Sequence, residues 1–179
     1  MRIIGGRYKR RRLKQPPSSS TRPTRDRVKE TLFNMLGPIP KGRVLDAFAG
    51  SGALGIEALS RGAKAADFIE ADPEAFNVLE QNLETLGLIS DTQLYEVEAE
   101  TMFETLEGPY DLIFLDPPYG EGRVEASLEA IVRRMLLASD GRIVALHYSL
   151  EDPLPKGDLR IYKERTIGVT GVTIYEWSG

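Results

Sequence analysis

The chain of 179 residues contains no cysteine and a single histidine. Without thiols it cannot form disulfide bonds or thiolate zinc sites, and without a group of histidines we predict no metal centre. No apolar run approaches the ~20 residues that a membrane-spanning helix needs. The basic amino terminus is followed by polar residues, unlike a secretion signal. We therefore expect a cytoplasmic protein.

Hydrophobic residues make up 41% of the sequence, which is enough for one good core at this length. No composition shift suggests a second domain of similar size. We expect residues 21–179 to form one catalytic domain and residues 1–20 to form a basic arm in front of it.

Positive charge is concentrated at the amino terminus. Residues 1–29 carry eleven lysines and arginines and one aspartate, a charge of +10, so the remainder carries −14. A basic segment on an acidic body is typical of a protein that contacts phosphates, although a solvated, disordered arm is the alternative. We favour binding, because residues 2–7 and 10–14 can form a small hairpin that presents arginines as a surface. The predicted nucleic-acid contacts are Arg2, Arg7, Lys9, Arg10, Arg11, Arg12 and Lys14.

The sequence Asp-Pro-Pro-Tyr at residues 116–119 follows the apolar run 112–115. Such a run predicts a buried parallel strand whose terminal acid emerges at the carboxyl edge of the sheet, where open α/β sheets bind ligands. Pro117 and Pro118 stop the strand and leave carbonyls that can accept from an amino group. Tyr119 offers a flat face for a planar base. These residues could hold an exocyclic amine and its ring; the alternative is an ordinary exit from a strand.

A second motif begins with the short strand that ends at Asp46. A glycine-rich turn and a helix predicted to start at about Ala53 follow it. Glycines let a ligand approach the main chain, and the helix start offers free N–H groups. Residues 50–55 also fit the G-x-G-x-x-G spacing of dinucleotide sites. The carboxylate of Asp46 argues against a pyrophosphate, because it repels phosphates and attracts an ammonium group such as that of S-adenosylmethionine.

Two further acids follow predicted strands. The strand 66–70 ends in Glu70, 24 residues after Asp46, where an acid is expected to bind ribose hydroxyls. Beyond the strand 93–97, Glu98 could receive an adenine amino group while Ala99 donates a main-chain N–H. A solvated surface acid is the simpler interpretation of Glu98 alone. Glu96 and Glu100 carry the same charge, so the assignment depends on register.

The other segments complete an alternation of helices and strands. Asp72 is the expected N-cap of a helix from Pro73 to Leu86. Thr24 would cap an amphipathic helix that ends at Leu36. Further predictions are a helix within residues 120–137 whose apolar face includes Met135, a strand over 143–146, and two β-rich stretches over 159–165 and 168–177.

The order of glycine turn, ribose acid, adenine acid and Asp-Pro-Pro-Tyr resembles the class I S-adenosylmethionine-dependent methyltransferases. Residues 1–6, 21–34 and 46–62 further resemble the family that methylates the exocyclic N2 of a guanine in bacterial small-subunit ribosomal RNA, often called the RsmD group. Residues 1–6 and 21–34 distinguish this family from other methyltransferases, because many methyltransferases share segments like 46–62 and the Asp-Pro-Pro-Tyr motif. One departure is His147, which follows the last parallel strand where this family commonly carries an acid.

The resemblance implies a Rossmann-like class I methyltransferase fold: a mostly parallel seven-stranded sheet with an antiparallel C-terminal strand, plus the small N-terminal hairpin. It implies S-adenosylmethionine as cofactor and 16S rRNA as partner, within the small ribosomal subunit or an assembly intermediate. Its catalytic residues would be Asp116, Pro117, Pro118 and Tyr119, with Tyr119 also contacting RNA. Its cofactor contacts would be Arg22, Thr24, Asp46, Phe48, Ala49, Gly50, Ser51, Gly52, Glu70, Ala71, Glu98, Ala99 and Asp116.

Several other functions share parts of this pattern. An adenine-N6 DNA methyltransferase also uses an Asp-Pro-Pro-Tyr-type motif, but the chain has no sizeable insertion for reading DNA sequence. A protein-amine methyltransferase fits the arginine-rich start poorly. A non-catalytic ribosome-binding module would predict damage to the cofactor turn, yet Asp46, Gly50, Gly52 and Asp116 are all present. A nicotinamide-dependent oxidoreductase would leave Asp-Pro-Pro-Tyr unexplained.

Overall fold

The computed structural model describes residues 1–17 and 25–179, in which helices alternate with strands. None of the helices in these ranges is long and apolar enough to cross a membrane. The elements are α1 (Arg25–Leu36), β1 (Arg43–Asp46), α2 (Ala53–Ser60), β2 (Ala65–Ile69), α3 (Pro73–Leu86), β3 (Thr92–Tyr95), α4 (Ala99–Phe103), β4 (Tyr110–Leu115), α5 (Arg123–Arg133), β5 (Leu137–Tyr148), β6 (Leu159–Ile167) and β7 (Thr170–Trp177), with a 3₁₀ turn at Ile89–Asp91.

The seven strands form one mixed sheet in the order β3-β2-β1-β4-β5-β7-β6. Strands β3, β2, β1, β4 and β5 are parallel, whereas β7 runs antiparallel to both β5 and β6. This is the class I methyltransferase-like α/β arrangement that the sequence predicted. The chain moves outward from β1 in one direction through β2 and in the other through β4. The carboxyl ends of β1 and β4 therefore flank a topological switch point, the usual ligand site of such sheets.

Helix α3 follows local sequence signals at both ends. The Asp72 side chain accepts a hydrogen bond from the Ala75 N–H at 3.1 Å, and Pro73 occupies the first turn. Gly87, with a φ of 70°, ends the helix in the left-handed conformation that a side chain disfavours. Leu79 and Leu83 are fully buried against the sheet. The predicted helix and its cap are confirmed.

The sheet separates two hydrophobic clusters, one on each face. Leu112 and Phe114 of β4 point into the cluster beneath α1, α2 and α3, while Ile113 and Leu115 point into the cluster beneath α4 and α5. This alternation explains why a fully apolar run forms the central strand. Met135, predicted to be part of the core, is instead 68% exposed, because α5 ends at Arg133 and the chain turns with a positive φ at this residue.

The predicted N-terminal hairpin is wrong. Residues 1–13 form a loop that is closed by one isolated antiparallel bridge, between Arg2 and Arg12. Its inner N–H groups do not face an opposing strand: those of residues 4 and 5 donate to the carboxylate of Glu57, and those of residues 7 and 8 donate to Ser60. Helix α2 is therefore the hydrogen-bonding partner of residues 4–8, whereas residues 1–3 bond to residues 10–13 beside the bridge.

Candidate active site

A cavity of about 630 Å³ opens at the carboxyl ends of β1 and β4, within the ~300–1,000 Å³ typical of small-molecule sites. Four predicted segments contribute to its wall because the carboxyl ends of parallel strands meet at one edge of the sheet. The wall includes Phe48, Ala49, Gly50 and Ser51 after β1, Glu70 and Ala71 after β2, Glu98 and Ala99 after β3, and Asp116, Pro117, Pro118 and Tyr119 after β4.

The carboxylate of Glu70 connects two of these segments. Its Oε1 accepts from the Gly50 N–H at 2.7 Å, and its Oε2 accepts from the Asp72 N–H at 2.9 Å. A carboxylate offers about four acceptor positions, so Glu70 can also accept from a ligand hydroxyl. The residue predicted to bind ribose therefore also fixes the turn at Gly50.

The two predicted turn glycines face different surroundings. A Cβ at Gly50 (φ 56°) would meet no atom of residues 1–17 and 25–179 within 4 Å, and Gly50 lies on the cavity wall. A Cβ at Gly52 (φ 88°) would lie 2.5 Å from Leu79 in the core, and Gly52 is not part of the wall. Gly50 leaves space for a ligand, whereas Gly52 leaves space for the packing of α3.

Asp46 lies behind the glycine turn and is 1% exposed. Its Oδ2 accepts from the Gly55 N–H of α2 at 2.9 Å, while its Oδ1 has no hydrogen-bond partner among residues 1–17 and 25–179. Burial raises the pKa of Asp46 to about 7, against the opposing effect of Gly55, with help from the charges of Asp116 and Glu70. A buried oxygen of this kind fits a cationic or N–H donor better than an anion.

Arg123, which was not predicted from the sequence, holds together side chains of the cavity wall near Glu98. Its guanidinium donates to Glu98 at 3.0 Å and to Glu100 at 2.7 Å, and it lies over the ring of Phe48 at 4.9 Å. The hydrogen bond from Arg123 lowers the pKa of Glu100. Of the three candidate acids, Glu98 lines the cavity, whereas Glu96 and Glu100 do not.

Asp116 is partly buried on the cavity wall, with its carboxylate 12% exposed. Arg25, at the start of α1, donates to its Oδ2 at 2.9 Å. The Tyr119 hydroxyl lies 3.2 Å from Oγ1 of Thr170, the first residue of β7. The sequence pointed to neither Arg25 nor Thr170, since both reach the motif from distant parts of the chain.

His147 supports the junction of β5 and β7 and does not line the cavity. Its Nδ1 lies 3.0 Å from the Tyr148 carbonyl, and its Nε2 lies 2.8 Å from Oγ1 of Thr173. A carbonyl only accepts, so in the neutral ring Nδ1 carries the proton and Nε2 accepts from Thr173. The imidazole ring packs on Gly171. A Cβ at that position would lie 2.3 Å from the ring, so a side chain there would clash with His147.

The predicted RNA contacts lie on the N-terminal loop, with the side chains of Arg2, Arg7 and residues 9–12 exposed. Lys14 Nζ donates to Gln81, and Gln15 donates to the Ser51 hydroxyl at 3.3 Å. The loop is therefore attached to the glycine turn. The predicted cofactor contacts Arg22 and Thr24, and the predicted helix cap at Thr24, fall outside the described residues.

A buried ion pair fastens the same loop to the domain. Lys29 and Glu57, 2% and 0% exposed, approach within 3.1 Å, and Lys29 Nζ also donates to the Arg2 carbonyl at 2.6 Å. Burial alone would raise the pKa of Glu57, but hydrogen bonds from Ile4, Arg61 and Gly5, together with the Lys29 charge, lower it. These contacts satisfy both charges, as a buried pair requires.

Comparison with known proteins gives a consistent result over the whole chain. The model of a family described as "Conserved hypothetical protein 95" matches residues 1–176. The chain is 46% identical over 184 residues to "Putative rRNA methyltransferase YlbH" of Bacillus subtilis (strain 168), with 100% of both chains covered. It is 36% identical over 179 residues to "Ribosomal RNA small subunit methyltransferase D" of Escherichia coli (strain K12), with 98% of this chain and 89% of that protein covered.

A solved structure extends the likeness to three dimensions. "Putative methyltransferase yhhF from Escherichia coli" superimposes with a TM-score of 0.89 at 32% sequence identity, covering 100% of this chain and 98% of that one.

Proposed function

The chain belongs to the rRNA methyltransferase family described as Conserved hypothetical protein 95, and we propose that it transfers a methyl group from S-adenosylmethionine to the exocyclic N2 of a guanine in 16S rRNA. The observation that carries the proposal is one cavity whose wall holds both the glycine turn at Gly50 and the Asp-Pro-Pro-Tyr segment 116–119. The relatives named for ribosomal RNA methylation support the substrate class.

The residues on the wall fit the cofactor. Glu70 would bind the ribose hydroxyls, and Glu98 and the Ala99 N–H would bind the adenine edge. Asp46, buried behind the wall, would attract the ammonium group through its charge. Gly50 provides the open space that a ligand needs next to the main chain. When bound, S-adenosylmethionine supplies an activated methyl group. The acidic character of the wall suits this cation better than it suits a dinucleotide pyrophosphate.

The chain's own contribution to the reaction is to orient a weak nucleophile. The lone pair of a guanine N2 amine is delocalised into the ring. Asp116 and the Pro117 carbonyl, by accepting the two amine hydrogens, would turn this lone pair toward the methyl group. Such orientation can lower a barrier by up to ~7–11 kcal/mol. As the nitrogen becomes cationic its acidity rises, and Asp116 would then take the proton.

The target base must leave its stack to enter the cavity, which costs a few kcal/mol and favours an exposed nucleotide. Tyr119 would then stack on the base, with its ring held through the hydroxyl contact to Thr170. The exposed arginines of the N-terminal loop would contact phosphates of the small subunit or of an assembly intermediate.

The test is to incubate the protein with labelled S-adenosylmethionine and small subunits or 16S rRNA lacking the modification, with unmethylated DNA in a parallel reaction, and then to analyse the nucleosides. We expect label in N2-methylguanosine. Label in N6-methyladenosine of DNA would support the adenine methyltransferase instead. Cofactor binding without transfer to any nucleic acid would favour a non-catalytic role.

A further inference from the structure

The guanidinium of Arg25 lies on the carboxylate that the proposed reaction uses. Arg25 Nη1 donates to Asp116 Oδ2 at 2.9 Å, and both residues line the cavity. The Arg25 side chain is 44% exposed, whereas that of Asp116 is 12% exposed. A charged donor therefore already holds one oxygen of the carboxylate that a guanine amine would approach.

Arg25 in this position opposes the proposed reaction in two ways. Its N–H competes with the amine hydrogens for Asp116, so it hinders the orientation of the nucleophile. It also places a positive charge close to a nitrogen that becomes positive as the methyl group arrives, and like charges at this range repel. Both effects end if Arg25 withdraws from Asp116 before the chemistry.

The position of Arg25 allows such a withdrawal. A half-exposed ion pair is weak because water screens it and because the long side chain loses freedom when it is held. Arg25 is the first residue of α1, at the cavity wall. The planar guanidinium is suited to bidentate contact with a phosphate, so the backbone of an RNA at the cavity offers it a second partner.

We infer that Arg25 is a movable cover on Asp116, and that a backbone phosphate of the substrate draws it away as the base enters. The inference rests on the proposed function. It assigns Arg25 a role in specificity: a guanine within an RNA chain brings the phosphate that removes the cover, whereas a free guanosine must compete with Arg25 for the carboxylate.

The experiment compares Arg25→Met with Arg27→Met at saturating S-adenosylhomocysteine. Arg27 is exposed on the same helical turn but is not part of the cavity wall, so its variant removes the same charge and leaves the Asp116 contact intact. The probes are guanosine, which has no phosphate, and an RNA hairpin with one guanine in its loop. Equilibrium titration measures both dissociation constants, and thermal melting checks that each variant is folded.

We expect Arg25→Met to tighten guanosine binding by about 2- to 5-fold, the range that a weak ion pair allows. The same variant should weaken hairpin binding and reduce the slope of log affinity against log salt by about 0.7–0.9, because the protein then neutralises one phosphate fewer. Arg27→Met should leave guanosine binding unchanged. In turnover assays on the same hairpin, Arg25→Met should raise KM and preserve kcat.

Unchanged or weaker guanosine binding in Arg25→Met would overturn the inference, as would a fall in kcat with KM unchanged, because Arg25 would then position Asp116 for catalysis. Asp116→Ala separates this result from failure of the proposed function. If guanosine binding depends on Asp116 but not on Arg25, only the cover is wrong. If it depends on neither, the proposed site itself is wrong.

Discussion

Asn82 hydrogen-bonds both main-chain groups of Lys14. Its Oδ1 accepts from the Lys14 N–H at 2.9 Å, and its Nδ2 donates to the Lys14 carbonyl at 3.1 Å. The same Nδ2 donates to the Ser51 carbonyl at 2.9 Å, and the side chain is buried in α3. One amide therefore joins the basic N-terminal segment to the glycine turn of the cofactor site.

Asn82→Ala should lower both stability and cofactor affinity. It removes three hydrogen bonds worth roughly 0.5–1.5 kcal/mol each, so we expect a loss of about 2–4 kcal/mol in the free energy of unfolding. Because the Ser51 carbonyl loses its partner, S-adenosylhomocysteine should also bind more weakly. Denaturant unfolding and calorimetric titration measure the two effects. The control is Asn77→Ala on the exposed side of α3; equal stability of the two variants would contradict the role of Asn82.

Asp46 should make both stability and cofactor binding depend on pH around neutrality. Its pKa is raised from 3.8 to about 7, so the folded state holds the proton more tightly than the unfolded state. The stability that this provides is complete below 3.8 and is lost as the pH rises through 7. Binding of S-adenosylhomocysteine should instead tighten over that rise, because the ionised carboxylate attracts the ammonium group from behind the cavity wall. Asp46→Asn should make both stability and S-adenosylhomocysteine affinity nearly independent of pH in this range. If the variant kept the pH dependence of the wild type, Asp46 would not be its cause.

The two turn glycines should respond differently to substitution by alanine. At Gly50 the new methyl group enters open space on the cavity wall, so Gly50→Ala should mainly reduce cofactor affinity, with about 1–2 kcal/mol of strain from the positive φ. At Gly52 it meets Leu79, so Gly52→Ala should mainly lower the melting temperature. Thermal melting with and without S-adenosylhomocysteine separates the effects. The reverse pattern would mean that Gly52, and not Gly50, faces the ligand.

Asp116→Ala should lower turnover by at least ~100-fold and leave S-adenosylmethionine affinity nearly unchanged, since the proposed role of Asp116 is to orient the substrate amine. Single-turnover kinetics and cofactor titration measure these quantities. Tyr119→Ala should act mainly on RNA engagement, and Tyr119→Phe should be milder because stacking needs only the ring. Wild-type turnover in Asp116→Ala would rule out this assignment.

Changing Arg10, Arg11 and Arg12 together to glutamine should weaken RNA binding and reduce the salt slope by roughly 0.7–0.9 for each phosphate that the protein no longer neutralises. All three side chains are exposed on the N-terminal loop. S-adenosylmethionine binding should be unchanged. The control replaces Lys41 and Lys64, which are exposed just before β1 and β2, at the sheet edge opposite the cavity. An unchanged slope and full activity in the triple variant would show that the basic loop is only solvated.

The sequence predicted those features whose causes are local. The ends of α3 were predicted because Asp72, Pro73 and Gly87 act on neighbouring main-chain groups. The four wall segments were predicted to meet because parallel strands align their carboxyl ends. The N-terminal hairpin was wrong because the partners of that loop, Glu57 and Ser60, lie about 50 residues away, and no local pattern reveals such pairing.

The site residues that the sequence did not indicate reach the cavity from distant parts of the chain. Arg25 reaches Asp116 from 91 positions away in the sequence, and Thr170 reaches Tyr119 from 51. Arg123 contacts Glu98 and Glu100 only because α5 starts beside α4. Each contact depends on the direction of a side chain at the start of an element, which periodicity does not encode.

Strand β7 follows β6 in the chain but lies inside the sheet, between β5 and β6. During synthesis the amino-terminal residues leave the ribosome first, so β6 emerges before the strand that holds it in place. Until residues 170–177 have emerged, β5 remains an open edge, and the fully buried Val172, Ile174 and Tyr175 are missing from the core. The nascent protein thus exposes an unpaired edge, a template for aggregation, until β7 closes it.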